Sequence, residues 1–419
     1  MSARVTTLPN GLRVVTDAMD GLETASLGVW VDVGTRNEPA EINGVAHLLE
    51  HMAFKGTERR SARRIAEEIE NVGGHLNAYT SREQTAYYAK VLKEDVALGI
   101  DILSDILQHS VFDETELERE RTVILQEIGQ AFDTPDDLVF DLFQTAAYPN
   151  QALGRPVLGE SDIIRAIPRA SIAEYMQGHY AAERMVLSAA GAVEHDRIVD
   201  LAEKAFAHLP RSTEIAIEPG TYVGGAIRED KDLEQVHLVL GFPAVSYTDP
   251  DYYTISALST LIGGGMSSRL FQEIREKRGL VYTVYAFAAA YRDGGLFGVY
   301  AGTGEDEAAE LIPVLCDELV GVADSLEEDE IARTLAQLKA GLLMGLESTS
   351  SRAEHQANHM LIYGRPVETS EIIQRIDAVD KAGLAAAARR IFAAPPSFTA
   401  LGPIGRVEGF ERITERLRA

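Results

Sequence analysis

The sequence is poor in cysteine, in basic residues and in long apolar runs, and each shortage removes a class of protein. Cys316 is the only cysteine among 419 residues, so no internal disulfide forms and a thiolate metal cluster is excluded. Lys and Arg total 39 against 65 Asp and Glu, a formal net charge of -26. A surface of that sign repels nucleic-acid phosphates and anionic lipid, so neither is an expected partner. No apolar run reaches the roughly 18 residues that a membrane-spanning helix needs. The start, "MSARVTTLPNGLRVVTD", lacks the charged-then-apolar pattern of a secretory signal, and the plain expectation is a cytoplasmic protein.

What is present points to a folded protein of at least two domains, because 419 residues exceed what one ordinary core serves. "LPNGLRVVTD" reads as an Asn-Gly turn entering a strand, and "TASLGVWVDVG" as a second strand. "SARRIAEEIENVGG" is an amphipathic helix stopped by glycines, and "HLNAYTSREQTAYYAKVL" a strand pair. "KEDVALGIDILSDILQHSVF" and "DETELERERTVILQEIGQAF" follow as helices by apolar spacing. Strands and helices in separate runs predict an α+β fold. Around "STEIAIEPGTYVGGAI", residues 212–227, the pattern loosens, which predicts a linker between a first domain over 1–215 and a second over 225–419. Beyond it the programme restarts with the strand "QVHLVLGF", the helix "DPDYYTISALSTLIGGG" and another strand pair. Ser26 falls opposite His237 and Asn77 opposite Tyr282, offsets of 211 and 205 residues. Two similar domains follow, each a mostly antiparallel sheet packed with helices.

The chemistry concentrates in "GVAHLLEHMAF", residues 44–54. At about 100° per residue, Val45, Leu48, Leu49 and Met52 share one helix face, while His47, Glu50 and His51 share the opposite one. Asn43 is the expected cap of this helix. Two imidazoles one turn apart can hold a zinc ion with each nitrogen about 2.0 Å from it, and Glu50 is then placed to act on water at the metal. The second copy has no counterpart of this set. A catalytic zinc also needs a third protein ligand and an open position, so the motif alone is incomplete and surface decoration is the bland alternative. The helix "DETELERERTVILQEIGQAF" offers Glu116, Glu120 and Glu127. Glu120 and Glu127 lie within about 20° of one another at the border of its apolar face, and spacing leaves the two equivalent. The bland account of these acids is a solvated helix. His355 and His359 are also one turn apart but lack the acid between, and read as ordinary helix-surface histidines. His75, beside the Gly73-Gly74 stop, reads as structural.

"GVAHLLEHMAFKGT" resembles the inverted zinc motif of the pitrilysin-type metallopeptidases, whose His-x-x-Glu-His reverses the commoner order. The family's zinc-binding glutamate follows its second histidine at the 76-residue spacing that Glu127 keeps from His51, and a second important acid lies seven residues earlier, at Glu120. The resemblance thus implies one Zn2+ per chain held by His47, His51 and Glu127, with Glu50 as general base and Glu120 as an orienting acid. "GGHLNAYTSREQTAYYAKVL" resembles the family's cleft strands, with Asn77 and Ala78 on the edge that pairs with substrate backbone. "GGGMSSRLFQEIREKRGLVYTVYAF" resembles its second-domain signature and implies Arg275 and Tyr282 as donors to substrate carbonyls and the developing oxyanion.

The likeness runs from about Thr7 to about Arg365 and is nearest to the subgroup containing the catalytic subunit of mitochondrial processing peptidase and its bacterial homologues. It implies an endopeptidase cleaving short unstructured peptides or extended segments, in a clam-like chamber of which this chain forms half. The other half would be a second copy or a zinc-less paralogue, giving a homodimer or a heterodimer. No transit segment is evident and "IGGGMSS" is too short to be the long glycine-rich loop of the non-catalytic subunit, so the bacterial type is favoured. The acidic balance suggests a preference for basic peptides. The rival is a non-catalytic scaffold or peptide-binding subunit of the same fold, against which the intact ligand set weighs.

Overall fold

The computed structural model describes residues 3–418. The chain forms two compact units, and neither is continuous in sequence. The first comprises residues up to Gly129 with Arg155–Glu218 and Leu343–Glu368; the second comprises Gln130–Gly154, Pro219–Leu342 and the residues from Thr369 on.

The first unit is built on a sheet of β1 (Arg4–Thr7), β2 (Arg13–Ala18), β3 (Thr24–Val31), β4 (His75–Thr80), β5 (Thr85–Leu92) and β6 (Met185–Gly191). Their order is β1-β2-β6-β3-β5-β4, antiparallel except where β2 meets β6. Side chains alternate across a strand, so β3 sends Ala25, Leu27, Val29 and Val31 into one core and Trp30 into another on the opposite face. The first core takes Leu48, Leu49 and Met52 from the helix Val45–Ala53, and Ile100 and Leu103 from the helix Val96–Gln108. The opposite face is covered by the helix Thr349–Tyr363, which lies far away in sequence and packs Ala353, Ala357 and Met360 against Val15, Trp30 and Val186. Polar groups fix its position. Ser26 Oγ lies 2.8 Å from Thr349 Oγ1, Ser188 Oγ donates to the Ala353 carbonyl, and buried Asp17 accepts from Gln356 Nε2 at 3.0 Å.

The second unit repeats the plan with β7 (Gly225–Asp230), β8 (Val236–Ala244), β9 (Val281–Ala290), β10 (Gly295–Thr303) and β11 (Ser397–Gly402), ordered β7-β11-β8-β10-β9. Only β7 and β11 run parallel. With β1 removed, the two sheets match strand for strand. Ser26 and His237 lie on the corresponding β3 and β8, and Asn77 and Tyr282 on β4 and β9. The helix Pro135–Ala147 covers one face of this second sheet, through Leu138, Val139 and Phe143 against Val239 and Leu401. Each sheet is therefore closed by a helix from the other half of the sequence.

The boundaries differ from expectation. The loose stretch expected over 212–227 ends at Gly224, because its last three residues open β7, which pairs with a strand that begins only at Ser397. The second unit also takes Gln130–Gly154 from the expected first domain, and the first takes Leu343–Glu368 from the expected second. Local loosening of the pattern does not report so distant a partner. No helix among the described residues is long and apolar enough to cross a membrane.

Candidate metal centre

The helix Val45–Ala53 is anchored by Val45, Leu48, Leu49 and Met52, all with no exposed surface, which turns the His47, Glu50 and His51 face outward from that core. Its start is not closed by Asn43 as the local rule suggests. The cap position is Gly44, at φ 94°, and the free amides of the first turn go to a carboxylate from an earlier loop. Glu38 accepts from Gly44 N–H at 2.8 Å, from Ala46 N–H at 2.7 Å and from Asn43 Nδ2 at 2.8 Å. Asn43 thus serves as a donor to the capping group. Burial pushes the Glu38 carboxyl up to about 7 even against these three donors, which favour its charged form.

His47, His51 and Glu127 each bring one ligand atom into a group whose members lie within 4.8 Å of one another. Glu127 comes from the helix Glu114–Phe132, which is held by Leu117, Ile124 and Ile128 in the core and by Arg121 donating to the carbonyls of Ile164 and Ile167. The Glu127 carboxylate lies 3.8 Å from His47 Nε2 and 3.6 Å from His51 Nε2. Both distances exceed a hydrogen bond and approach the separation of about 3.3 Å between two donors on a tetrahedral zinc with bonds of about 2.0–2.1 Å. The donor chemistry also suits such an ion. Burial, with the neighbouring His51, pushes the His47 imidazole down to about 4, so it is neutral and its lone pair is free at pH 7. The three residues fit a zinc ion.

Glu120, two turns before Glu127, takes a different place. One oxygen lies 2.9 Å from His51 Nδ1 and the other 2.7 Å from Lys55 Nζ. Burial works against its charge, yet the hydrogen bonds from Lys55 and His51 prevail and its pKa falls below the ordinary value. A carboxylate on Nδ1 leaves His51 Nε2 as the lone-pair nitrogen, turned toward Glu127. Spacing left Glu120 and Glu127 equivalent; the contacts separate them. Glu50 accepts from Thr80 Oγ1 at 2.5 Å. Burial raises its pKa, with Glu127 adding to the rise and Thr80 and His51 opposing it. A carboxylate with raised proton affinity beside two imidazoles and an acid is suited to accept a proton.

Sequence reasoning missed Lys55, Thr80 and Glu38. Lys55 stands one helical turn beyond His51 and was open to the same spacing argument. Thr80 reaches the site from β4, and no local signal marks Glu38.

Of the remaining expected residues, Asn77 and Ala78 lie on β4, an open edge of the first sheet. Ser81 N–H donates to the Gln84 carbonyl, so by antiparallel alternation Leu76, Ala78 and Thr80 direct their backbone groups to the free edge. Asn77 Oδ1 accepts from Ala78 N–H at 2.9 Å, so its carboxamide lies over that edge. Arg275 and Tyr282 belong to the second compact unit, and the imidazoles to the first. There the Arg275 guanidinium stacks 5.2 Å from the centroid of the Tyr282 ring and 4.8 Å from that of Phe271, with Tyr282 74% exposed. His355 and His359 pack edge to face with ring centroids 3.9 Å apart, but His359 is buried and its Nδ1 accepts from Val367 N–H. His359 is thus an interior residue rather than the surface one expected, His355 is half-buried, and no second metal-holding group occurs among the described residues.

Residues 13–161 match the family described as Insulinase (Peptidase family M16), and residues 166–338 match the Peptidase M16 inactive domain. The probable mitochondrial-processing peptidase subunit beta of Arabidopsis thaliana is 40% identical over 99% of this chain and 81% of its own length. An uncharacterized zinc protease of Streptomyces coelicolor is 39% identical over 96% of this chain and 90% of its own. A protease from Helicobacter pylori, known from its crystal structure, shares the fold with a TM-score of 0.88 at 24% identity, covering 96% of this chain and 99% of that one. Residues 166–338, which match the inactive domain, lack the His-Glu-His set. The chain belongs to peptidase family M16, the insulinase family of zinc metallopeptidases.

Proposed function

We propose that this chain is a zinc-dependent endopeptidase for extended, unstructured peptides, with His47, His51 and Glu127 as ligands to one zinc and Glu50 as general base. The observation that carries the reading is the convergence of two imidazole nitrogens and the Glu127 carboxylate within 4.8 Å, with Glu50 on the same helix face. A zinc ion held there supplies Lewis acidity toward a scissile carbonyl and toward water. Glu50 removes the proton of the attacking water and returns it to the leaving amine, with Thr80 Oγ1 fixing the carboxylate. Glu120 holds His51 in the tautomer that keeps Nε2 unprotonated, and Lys55 holds Glu120.

Substrate adds to the free edge of β4 as a further strand, Ala78 pairing through its backbone and Asn77 through its carboxamide. Pairing of this kind gives affinity to any extended chain with weak sequence demands. Arg275 and Tyr282 donate to substrate carbonyl oxygens in a two-chain assembly, either a homodimer or a heterodimer with a zinc-less paralogue. Relatives named as subunits support an assembled enzyme.

The test is hydrolysis of a library of unstructured peptides by the zinc-loaded, chelator-stripped and zinc-restored protein, with products weighed by mass spectrometry. Internal cleavage that disappears with the metal and returns with it is expected. Bound zinc without cleavage would favour the scaffold reading, and cleavage without metal would overturn the mechanism.

A further inference from the structure

The two histidines of the candidate centre are held differently. His51 has Glu120 on its Nδ1, whereas His47 Nδ1 is buried with no hydrogen-bond partner among the described residues. A ligating imidazole is ordinarily oriented by a partner on its second nitrogen, and His47 lacks that constraint. Its orientation must therefore come from the backbone that carries it. His47 lies in the first turn of the helix Val45–Ala53, where unpaired amides leave the chain free to fray unless something holds them.

We propose that Glu38 is a positioning residue for the metal centre: its carboxylate grips Gly44 N–H and Ala46 N–H and so fixes the rotation of the turn that presents His47. The inference rests on the metallopeptidase reading given above. The grip is 3% exposed at Glu38 and is backed from the other side. Gly44 is in the left-handed region, and a side chain there would meet Ile164 Cδ1 at 2.6 Å and Gly159 Cα at 2.9 Å. Gly159, also left-handed at φ +78°, would with a Cβ meet the Asn43 carbonyl at 2.5 Å. The segment 158–164 thus closes on the helix start at backbone-to-backbone distance, and Glu38 holds that start through its amides. Stability alone does not account for this arrangement. A buried carboxylate whose pKa is raised by burial makes the folded state less stable when it is charged. A group that costs stability and is held by three donors is better explained by what it orients.

The test uses Glu38→Gln, which keeps shape and one acceptor oxygen but turns an NH2 toward one of the first-turn amides. Gly159→Ala disturbs the same turn from the opposite side, and Val186→Ala in β6 serves as a control for general destabilisation. Three quantities are read in each full-length protein: zinc Kd by chelator competition, kcat and KM on a cleaved peptide, and the melting temperature without metal. We expect zinc Kd to weaken about tenfold in Glu38→Gln, the range found for groups that orient ligands, with kcat reduced and KM unchanged. At pH 8 Glu38→Gln should melt no lower than wild type, and Val186→Ala should melt lower with zinc Kd unchanged. If wild type binds zinc and cleaves while Glu38→Gln and Gly159→Ala match it in Kd and kcat, the positioning role is wrong and the metallopeptidase reading stands. If wild type itself binds no zinc, that reading fails and takes the inference with it.

Discussion

Replacing Glu50 by Gln separates the chemistry of the centre from its construction. The substitution keeps the volume of the side chain and an oxygen that accepts from Thr80 Oγ1, now 2.5 Å from Glu50. It leaves the cluster of His47, His51 and Glu127 untouched, because Glu50 is not one of its members. What it removes is the group able to take a proton, and positioned general bases contribute about 10²–10⁴-fold. We expect kcat to fall by that factor, with KM within about threefold and one zinc retained per chain. The raised pKa of Glu50, caused first by burial, means that its charge is tolerated at a cost, so the neutral variant should melt at the same temperature or higher. The assay is steady-state cleavage of a fluorogenic unstructured peptide, with zinc counted by atomic absorption in the same samples. A kcat within tenfold of wild type would refute Glu50 as the base. Loss of zinc together with activity would mean that Glu50 builds the site instead of working in it.

Four further outcomes follow from the same contacts. Lys55→Ala removes the cation 2.7 Å from Glu120 and should weaken zinc binding by less than tenfold, since Glu120 still reaches His51; an effect as large as that of Glu120→Ala would show that Lys55 acts elsewhere. Burial raises the Glu38 carboxyl from 4.5 to about 7, so the folded state holds an extra proton between those values and stability declines as pH rises through that window. The loss is on the order of 3 kcal/mol and should be absent in Glu38→Gln, and equal melting-temperature profiles from pH 5 to 8 would contradict it. Mixing Glu50→Gln with Tyr282→Phe should regenerate activity if Tyr282 acts across a homodimer, and mixed dimers with no regained activity would sink that arrangement. A fragment of residues 1–215 lacks the helix Thr349–Tyr363 that buries Trp30, Val15 and Val186, and should bind a hydrophobic dye and melt without cooperativity. A sharp transition in that fragment would show that the helix is dispensable.

The sequence disclosed what is local and periodic. The face of Val45, Leu48, Leu49 and Met52 follows from helical spacing, and once that face is buried the opposite position of His47, Glu50 and His51 is fixed by geometry. The repeated strand order was legible for a similar reason, since alternation and turn residues mark strands wherever they pair. What stayed hidden depends on partners distant along the chain. Apolar spacing shows that Thr349–Tyr363 buries a face, but not that it buries it against a sheet formed more than 150 residues earlier. The choice of Glu127 over Glu120 came from family likeness, because two acids seven residues apart share a helix face and only the surrounding side chains tell them apart. The cap is the most instructive failure. Asn43 is the residue that a local rule selects, and a carboxylate from outside the helix displaces it. Glu38 grips two amides where an asparagine oxygen would take one or two of the same turn with less reach, and it does so at the expense of a buried charge. Local rules are expected to give way where function requires a fixed geometry, and here the exception falls on the turn that carries His47.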